Sequence, residues 1–418
     1  MRGGGHKFWR DTALLALIAA VARLLFLYLI PVGAESIDLR SWQKIATELH
    51  AGRNPYQSTP LLNWPPLWMQ LIALTDKVSQ VLHVPFKTLL RILLIASDVA
   101  VVVVTHRLAV FLELAKARLI VLIGLALNPI GLLLVCQHAN FDTIVALAIV
   151  LSVAALVRFR ATKRPVDWLF AALSLGVGIL AKTIPVILVP LLAARSKDLD
   201  RSTRLLGALL LVGPVAIGLS VLFVLAPQAV YQHVINYRSL GGVFGVSGIV
   251  AATLTEQPAR AVRIVMLLTL GLIFLLSTVR TTMRGLDDPR TLILLGAFLL
   301  VSIIVFGPGY GPQYIMWFLP LLTLTAGMFD PTWRRILFGW GIVAVVTYAV
   351  EYLLLPSHGA LLFHLFPGRS FPFAGRLETP WQLTCFRLPL FLSYCLVWVK
   401  AGSLLVERER RMAIHPID

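Results

Sequence analysis

The chain has 418 residues, of which 58% are hydrophobic and only 14% charged, and its mean hydropathy is +0.84. A soluble globular domain carries about 25% charged residues, so this composition excludes one and requires a lipid environment. The formal net charge of +17 lies in short basic clusters between apolar runs rather than in an aromatic-interleaved basic domain, which excludes a nucleic-acid-binding protein.

Apolar runs of about 15 to 23 residues recur along the chain, close to the roughly 20 residues that cross the hydrocarbon as a helix. The first predicted span is 12–31. It follows Arg2, Lys7 and Arg10 as a secretory signal would, yet Arg23 interrupts it and no small-residue cleavage site follows, so it is expected to be a retained anchor. The other predicted spans are 86–108, 119–136, 141–157, 168–181, 184–194, 205–226, 261–279, 291–306, 314–328, 336–355 and 384–405. The expected fold class is all-α, a polytopic membrane protein of about 12 transmembrane helices, forming one integral membrane domain over 1–418.

Basic clusters at Arg2 to Arg10, Arg107 to Arg118, Arg158 to Arg164, Arg195 to Arg204, Arg280 to Arg290, Arg334 with Arg335, and Lys400 to Arg411 hold about 23 of the 37 Lys and Arg residues, and the positive-inside rule makes them cytoplasmic. Trp168 to Ala194 has basic loops on both sides and must turn back on itself. The break belongs at Ala181-Lys182-Thr183-Ile184-Pro185, where proline ends the hydrogen-bond ladder. Both legs are short at about 1.5 Å per residue, so Lys182 at the tip is expected below the outer surface, lining a cavity. The long extracytoplasmic regions are 32–85, 227–260 and 356–383. No internal repeat is visible, which weighs against an inverted-repeat transporter.

In the first of these regions Leu39, Trp42, Ile45, Ala46 and Leu49 recur at helical spacing, with Arg40, Lys44, Thr47 and Glu48 on other faces. That pattern predicts an interfacial helix lying on the membrane. Ser36 or Asp38 caps it, and a helix dipole at that position would keep the Asp38 carboxylate ionised. After Gly52-Arg53-Asn54-Pro55-Tyr56, the segment Trp64-Pro65-Pro66-Leu67-Trp68 opens a second helix. Its tryptophans suit either the headgroup zone or a carbohydrate-stacking surface.

Further along, Arg91 and Asp98 lie seven apart on one helix face and are expected to pair within the membrane, while Arg23 bonds neighbouring helices. His138, Asn140 and Asp142 gather at a helix start, open to capping or to contact with sugar hydroxyls. Gly241, Gly242 and Gly245 follow Tyr237-Arg238 and would permit a mobile lid. Tyr310, Gln313 and Tyr314 are divided between interface anchoring and substrate contact; Glu351 and His364 receive no role. Cys136, Cys385 and Cys395 do not form a disulfide framework and read as packing thiols.

The succession IDLRSWQKIATELHAGRNPY, WPPLW and RILLIASDVAV, followed by Asn128-Pro129, His138-Ala139-Asn140-Phe141-Asp142-Thr143, Lys182 with Pro185 and Pro190, and Gly309-Tyr310-Gly311-Pro312-Gln313-Tyr314 with Trp317, resembles the polyprenyl-phosphate-sugar-dependent glycosyltransferases of the GT-C superfamily. The likeness runs over nearly the whole chain, and the later motifs resemble the first mannosyltransferase of glycosylphosphatidylinositol assembly and its bacterial relatives. It implies inverting transfer of a sugar, mannose, from a polyprenyl-phosphate-linked donor to a hydroxyl of a lipid or glycan acceptor on the extracytoplasmic side.

By this resemblance Asp38 corresponds to the acidic residue that serves as catalytic base, while Ser36 stands where the mannosyltransferase has a further aspartate. A departing phosphate needs positive charge, for which Lys182 is the first candidate and Arg238 the next. His138, Asn140, Asp142, Tyr310, Gln313, Tyr314 and Trp64 are the remaining candidate substrate contacts. No metal ligands and no cofactor are assigned, and the partners expected are donor, acceptor and membrane lipids. The chain ends Ile414-His415-Pro416-Ile417-Asp418 without an endoplasmic-reticulum retrieval signal and lacks an Asn-x-Ser/Thr sequon, which points to a bacterial plasma membrane. The competing reading is a multi-pass transporter or lipid flippase, which would place a site midway between related halves.

Overall fold

The structure is a computed structural model that describes residues 4–30, 36–59, 62, 64–194, 196–232, 245–284, 286, 288–307, 311–355, 361–366 and 380–414. Regular structure among them is entirely helical. The principal helices are α1 (Gly4–Leu29), α2 (Ile37–His50), α3 (Pro66–Leu82), α4 (Phe86–Phe111), α5 (Ala117–Ala126), α6 (Pro129–Gln137), α7 (Asp142–Thr162), α8 (Pro165–Ala181), α9 (Ile184–Ala193), α10 (Arg201–Leu225), α11 (Glu256–Arg284), α12 (Pro289–Phe306), α13 (Ile315–Met328), α14 (Pro331–Leu354) and α15 (Pro380–Ile414).

Eight of these, α1, α4, α7, α10, α11, α12, α14 and α15, are long and apolar enough to cross a membrane, and α5 with α6, bent by 40° at the break between them, is apolar enough to count as a ninth when taken as one span. The shorter apolar helices α8, α9 and α13 account for the other predicted spans. The protein is therefore an all-α polytopic membrane protein. Its outer surface agrees with that conclusion: Leu205, Leu209, Val212 and Ile217 of α10, Val265, Leu268 and Leu272 of α11, and Phe338 of α14 are all exposed. Faces so apolar belong against lipid, where helices satisfy their own backbone groups.

Helix α7 occupies the centre, packed against α4, α8 and α13, and α12 is enclosed by α11, α13 and α15. Close approach of α8 and α10 depends on Gly176. A Cβ there would meet the backbone carbonyl of Leu211 at 2.6 Å, so only a hydrogen lets the backbones come together.

The bend between α5 and α6 interrupts the regular backbone hydrogen-bond ladder inside the bundle, where under-satisfied carbonyls are costly. Arg23 of α1 resolves this, donating from Nη2 to the Leu125 carbonyl at 3.1 Å and from Nη1 to that of Ala126 at 2.6 Å. Asp98 of α4 balances the buried charge, accepting from Arg23 Nε at 2.5 Å. Asn128 caps α6 by accepting from the Ile130 amide at 2.9 Å. Arg91, expected to find a partner within the membrane, donates to the Cys136 carbonyl at 3.0 Å near the end of α6.

Ion pairs gather the basic residues at one end of the bundle. Arg118 meets Asp11 at 3.3 Å, Arg158 meets Asp167 at 3.4 Å, Lys163 meets Asp198 at 3.4 Å and Arg408 meets Asp288 at 2.6 Å. These contacts unite the starts of α1, α5, α8 and α12 with the ends of α7 and α15. The opposite end collects the starts of α2, α7 and α13 and the ends of α8 and α14, and there the polar network described next is built.

The predicted interfacial helix exists as α2, but its surroundings correct the expectation. Leu39, Trp42, Ile45 and Ala46 are buried in the protein, against α3 and α4, not laid on lipid. Trp68 is likewise fully buried. Its ring stacks on Phe141 at 4.7 Å, and Trp42 meets both edge-on at 5.3 and 5.7 Å. Each such pair adds about 0.5–1.5 kcal/mol beyond its buried area, so α2 and the start of α3 are clamped to the start of α7.

Candidate active site

Capping of α2 falls to Ser36, whose Oγ accepts from the Leu39 amide at 3.1 Å and donates to the His138 carbonyl at 2.5 Å. Asp38, in the first turn of the same helix, is thereby released from capping. Its side chain retains 25% of its exposure, and Oδ2 accepts from Asn140 Nδ2 at 2.7 Å and lies 3.0 Å from His138 Nε2. Among the described residues no hydrogen bond goes to Oδ1.

The segment between α6 and α7 supplies both donors because its backbone is held in an unusual conformation. Ala139 has φ +54°, a left-handed conformation that costs an L-residue about 1–2 kcal/mol. Trp42 Nε1 donates to the Ala139 carbonyl at 3.2 Å and helps to hold it. This kink turns His138 and Asn140 toward α2. Asn140 is oriented from both ends, since its Oδ1 accepts from the Asp142 amide at 2.8 Å. On the far side of His138, Nδ1 hydrogen-bonds the hydroxyl of Tyr352 on α14.

Burial alone would push the Asp38 carboxyl up. The charge and hydrogen bond of His138, the hydrogen bond from Asn140 and the Lys182 ammonium outweigh it, so the group sits below its ordinary value of 3.8. Asp38 is ionised throughout the physiological range and able to accept a proton.

The second half of the network lies one step deeper. Asp142, fully buried at the start of α7, receives Lys182 Nζ on both oxygens, at 2.8 and 3.1 Å. Lys182 is 4% exposed and sits in extended backbone after α8, its amide bonded to the Gly178 carbonyl at 2.9 Å. Four rings surround its ammonium: Trp64 and Tyr314 at 4.6 Å, Trp317 at 4.9 Å and Phe141 at 5.3 Å. Cation–π attraction is greatest in such desolvated cages. The expectation that Lys182 lines a cavity as a spare positive charge is thus modified: its charge is matched by Asp142, and two of its three donors are engaged.

Asp38, His138, Asn140, Asp142, Lys182, Trp64 and Tyr314 therefore form one connected group. Gln313, in the turn Pro312–Tyr314, is half-buried beside it. Arg238 and Tyr310 lie outside the described residues, as do Gly241 and Gly242. Among the described residues no three of His, Cys, Asp and Glu come together as a metal-ion site.

Tyr352 is the member that sequence reasoning missed, because an aromatic residue near a helix end reads as an interface anchor. The adjacent Glu351 accepts from Arg387 Nε at 2.7 Å in a buried pair that fixes α14 to α15. Gln137 Nε2 donates to the Tyr352 carbonyl at 3.3 Å, tying the same turn of α14 to α6.

No family model matches the chain, and no curated protein matches it. Among solved structures, the chain is similar to the crystal structure of ArnT from Cupriavidus metallidurans bound to undecaprenyl phosphate, at 14% identity and a TM-score of 0.47, over 96% of this chain and 78% of that one.

Proposed function

We propose that the protein is an inverting glycosyltransferase that moves a sugar from a polyprenyl-phosphate donor to a hydroxyl of a lipid or glycan acceptor. The observation that carries this reading is the condition of Asp38, a carboxylate held below its ordinary pKa and gripped through Oδ2, with a quarter of its side chain exposed. The resemblance of the surrounding motifs to GT-C enzymes supports it, and so does the convergence of motifs scattered from Asp38 to Tyr314 on one network.

In the reaction, the acceptor hydroxyl gives its proton to Asp38 as its oxygen attacks the anomeric carbon. The bond from that carbon to the phosphate oxygen breaks and its electron pair leaves with the phosphate, already a stable anion. Single displacement inverts the anomeric configuration. Asn140 and His138 hold the base in place, so its approach to the acceptor is prepaid in orientation. Lys182, held by Asp142, turns its remaining ammonium donor to the leaving phosphate, and the half-buried Trp64 offers its ring to the sugar.

Mannose is the donor sugar this reading favours, on the motif resemblance. The position of the network at the end opposite the basic clusters supports an extracytoplasmic site under the positive-inside rule. A transporter would instead need its polar site midway along the bundle, between related halves. The test is a transfer assay with purified protein and synthetic prenyl-phosphate mannose, glucose, galactose and a pentose, with products read by mass spectrometry and anomeric configuration by NMR. Inverted product, greatest with mannose, is expected. Retained configuration would refute single displacement, and preference for another sugar would overturn the mannose assignment alone.

A further inference from the structure

Both ring nitrogens of His138 have partners, Nε2 in Asp38 Oδ2 at 3.0 Å and Nδ1 in the Tyr352 hydroxyl. Shape alone does not choose that orientation. The outer torsion of a histidine side chain is roughly two-fold, and a ring turned over fills nearly the same space with a carbon facing Asp38 in place of Nε2. Asp38 keeps a quarter of its side-chain exposure, so water competes for its contact with the ring. The Tyr352 hydroxyl belongs to a fully buried side chain, away from that competition, and meets the ring from the opposite side.

Tyr352 is itself held in place. Its ring lies nearly parallel to that of Tyr348, with centroids 6.4 Å apart and 11° between the planes. Its carbonyl accepts from Gln137 Nε2 at 3.3 Å, and the neighbouring Glu351 accepts from Arg387 Nε at 2.7 Å. The His138 backbone is anchored separately, through its carbonyl to Ser36 Oγ at 2.5 Å. With backbone and hydroxyl both fixed, the imidazole has one orientation that places nitrogen at each end.

We propose that Tyr352 is a positioning residue for the transfer reaction, its hydroxyl selecting the orientation of the His138 ring that holds Asp38 toward the acceptor. The role rests on the reading of Asp38 as the base. Tyr352 exchanges no proton with the substrates; the acceptor proton still ends on Asp38. The charged groups that face these three residues are Lys182 after α8, Asp142 on α7, Glu351 on α14 and Arg387 on α15. All four are retained in the Tyr352 and His138 variants, so their pH profiles compare directly with wild type.

The test is a double-mutant cycle on the full-length protein with the fastest prenyl-phosphate sugar of the panel above, read as kcat, KM and the pH profile of kcat/KM. Tyr352→Phe removes one oxygen and keeps the ring. It should lower kcat about tenfold while the donor KM stays within about twofold of wild type. The acid limb of its profile should move upward, because a loosened His138 stabilises the Asp38 carboxylate less. A purely structural role would reduce active protein equally at every pH and leave that limb in place. In a His138→Leu background, Tyr352→Phe should add less than about a twofold further loss. Wild-type kcat in Tyr352→Phe, an unmoved acid limb, or equal losses in both backgrounds would overturn the positioning role. Asp38→Asn assayed in parallel separates the two claims. If it is inactive while Tyr352→Phe is unimpaired, the base stands without the positioning role; if it turns over at the wild-type rate, both fall. Tyr352→Phe/His138→Leu removes both partners of one hydrogen bond and should fold even if Tyr352→Phe alone does not. In that event activity equal to His138→Leu supports the role, and a further tenfold loss refutes it.

Discussion

Asp38 differs from an ordinary N-terminal helix acid in what surrounds it. Ser36 takes the capping role, and two side chains from the α6–α7 junction hold one of the Asp38 oxygens. The depressed pKa makes a prediction with a definite sign. A base works only when deprotonated, so in wild type kcat/KM should fall only below about pH 4, as pH drops through a value lower than 3.8. Asn140→Ala removes one of the lowering contacts and leaves the burial, so the acid limb of the pH profile should move upward. A profile that stays in place would show that Asn140 does not act on the Asp38 charge.

Lys182 permits a separate test. Lys182→Met strands a fully buried Asp142 and should cost about 3–5 kcal/mol of stability. Lys182→Met/Asp142→Asn removes both charges and should recover most of the thermal stability. If Lys182 serves the departing phosphate, transfer remains lost in the double variant. Recovery of transfer together with stability would reduce the pair to a structural role.

At the scale of the elements, the twelve apolar runs were legible because hydrocarbon thickness sets a length that composition reveals directly. The turn at Lys182 was legible from Pro185 and the parity of basic loops. Other features were not. The helical spacing of Leu39, Trp42, Ile45 and Ala46 shows an apolar face but not what covers it, and here the cover is protein. The run 119–136 reads as one continuous span, although Pro129 ends α5 early and Arg23, more than 100 residues away, makes the bend tolerable. Tyr352 reaches His138 across more than 200 residues, a pairing no local pattern encodes. The Arg23 contacts predict that Arg23→Met, which leaves Asp98 buried without its partner, lowers stability by about 3–5 kcal/mol. The midpoint of thermal unfolding should drop accordingly and return largely in Arg23→Met/Asp98→Asn. An unchanged midpoint in the single variant would contradict the role assigned to the bend.

For the molecule as a whole, charge and chemistry are segregated to opposite ends. Ion pairs among Asp11, Arg118, Arg158, Asp167, Asp288 and Arg408 define one end, and the Asp38 network defines the other. If the positive-inside rule holds, the two ends face different compartments. In a Cys385→Ser background, Lys44→Cys should react with a membrane-impermeant thiol reagent added to intact cells. Lys163→Cys should react only after permeabilisation. The reverse pattern would put the proposed reaction in the cytoplasm.

The claim on which the functional account rests is that Asp38 takes the acceptor proton. It is tested most directly by Asp38→Asn, which preserves shape and removes basicity, measured in the prenyl-phosphate-mannose transfer assay alongside donor binding. The account predicts a loss of turnover of about 10²–10⁴-fold, with folding and donor affinity close to wild type. Turnover at the wild-type rate would contradict it.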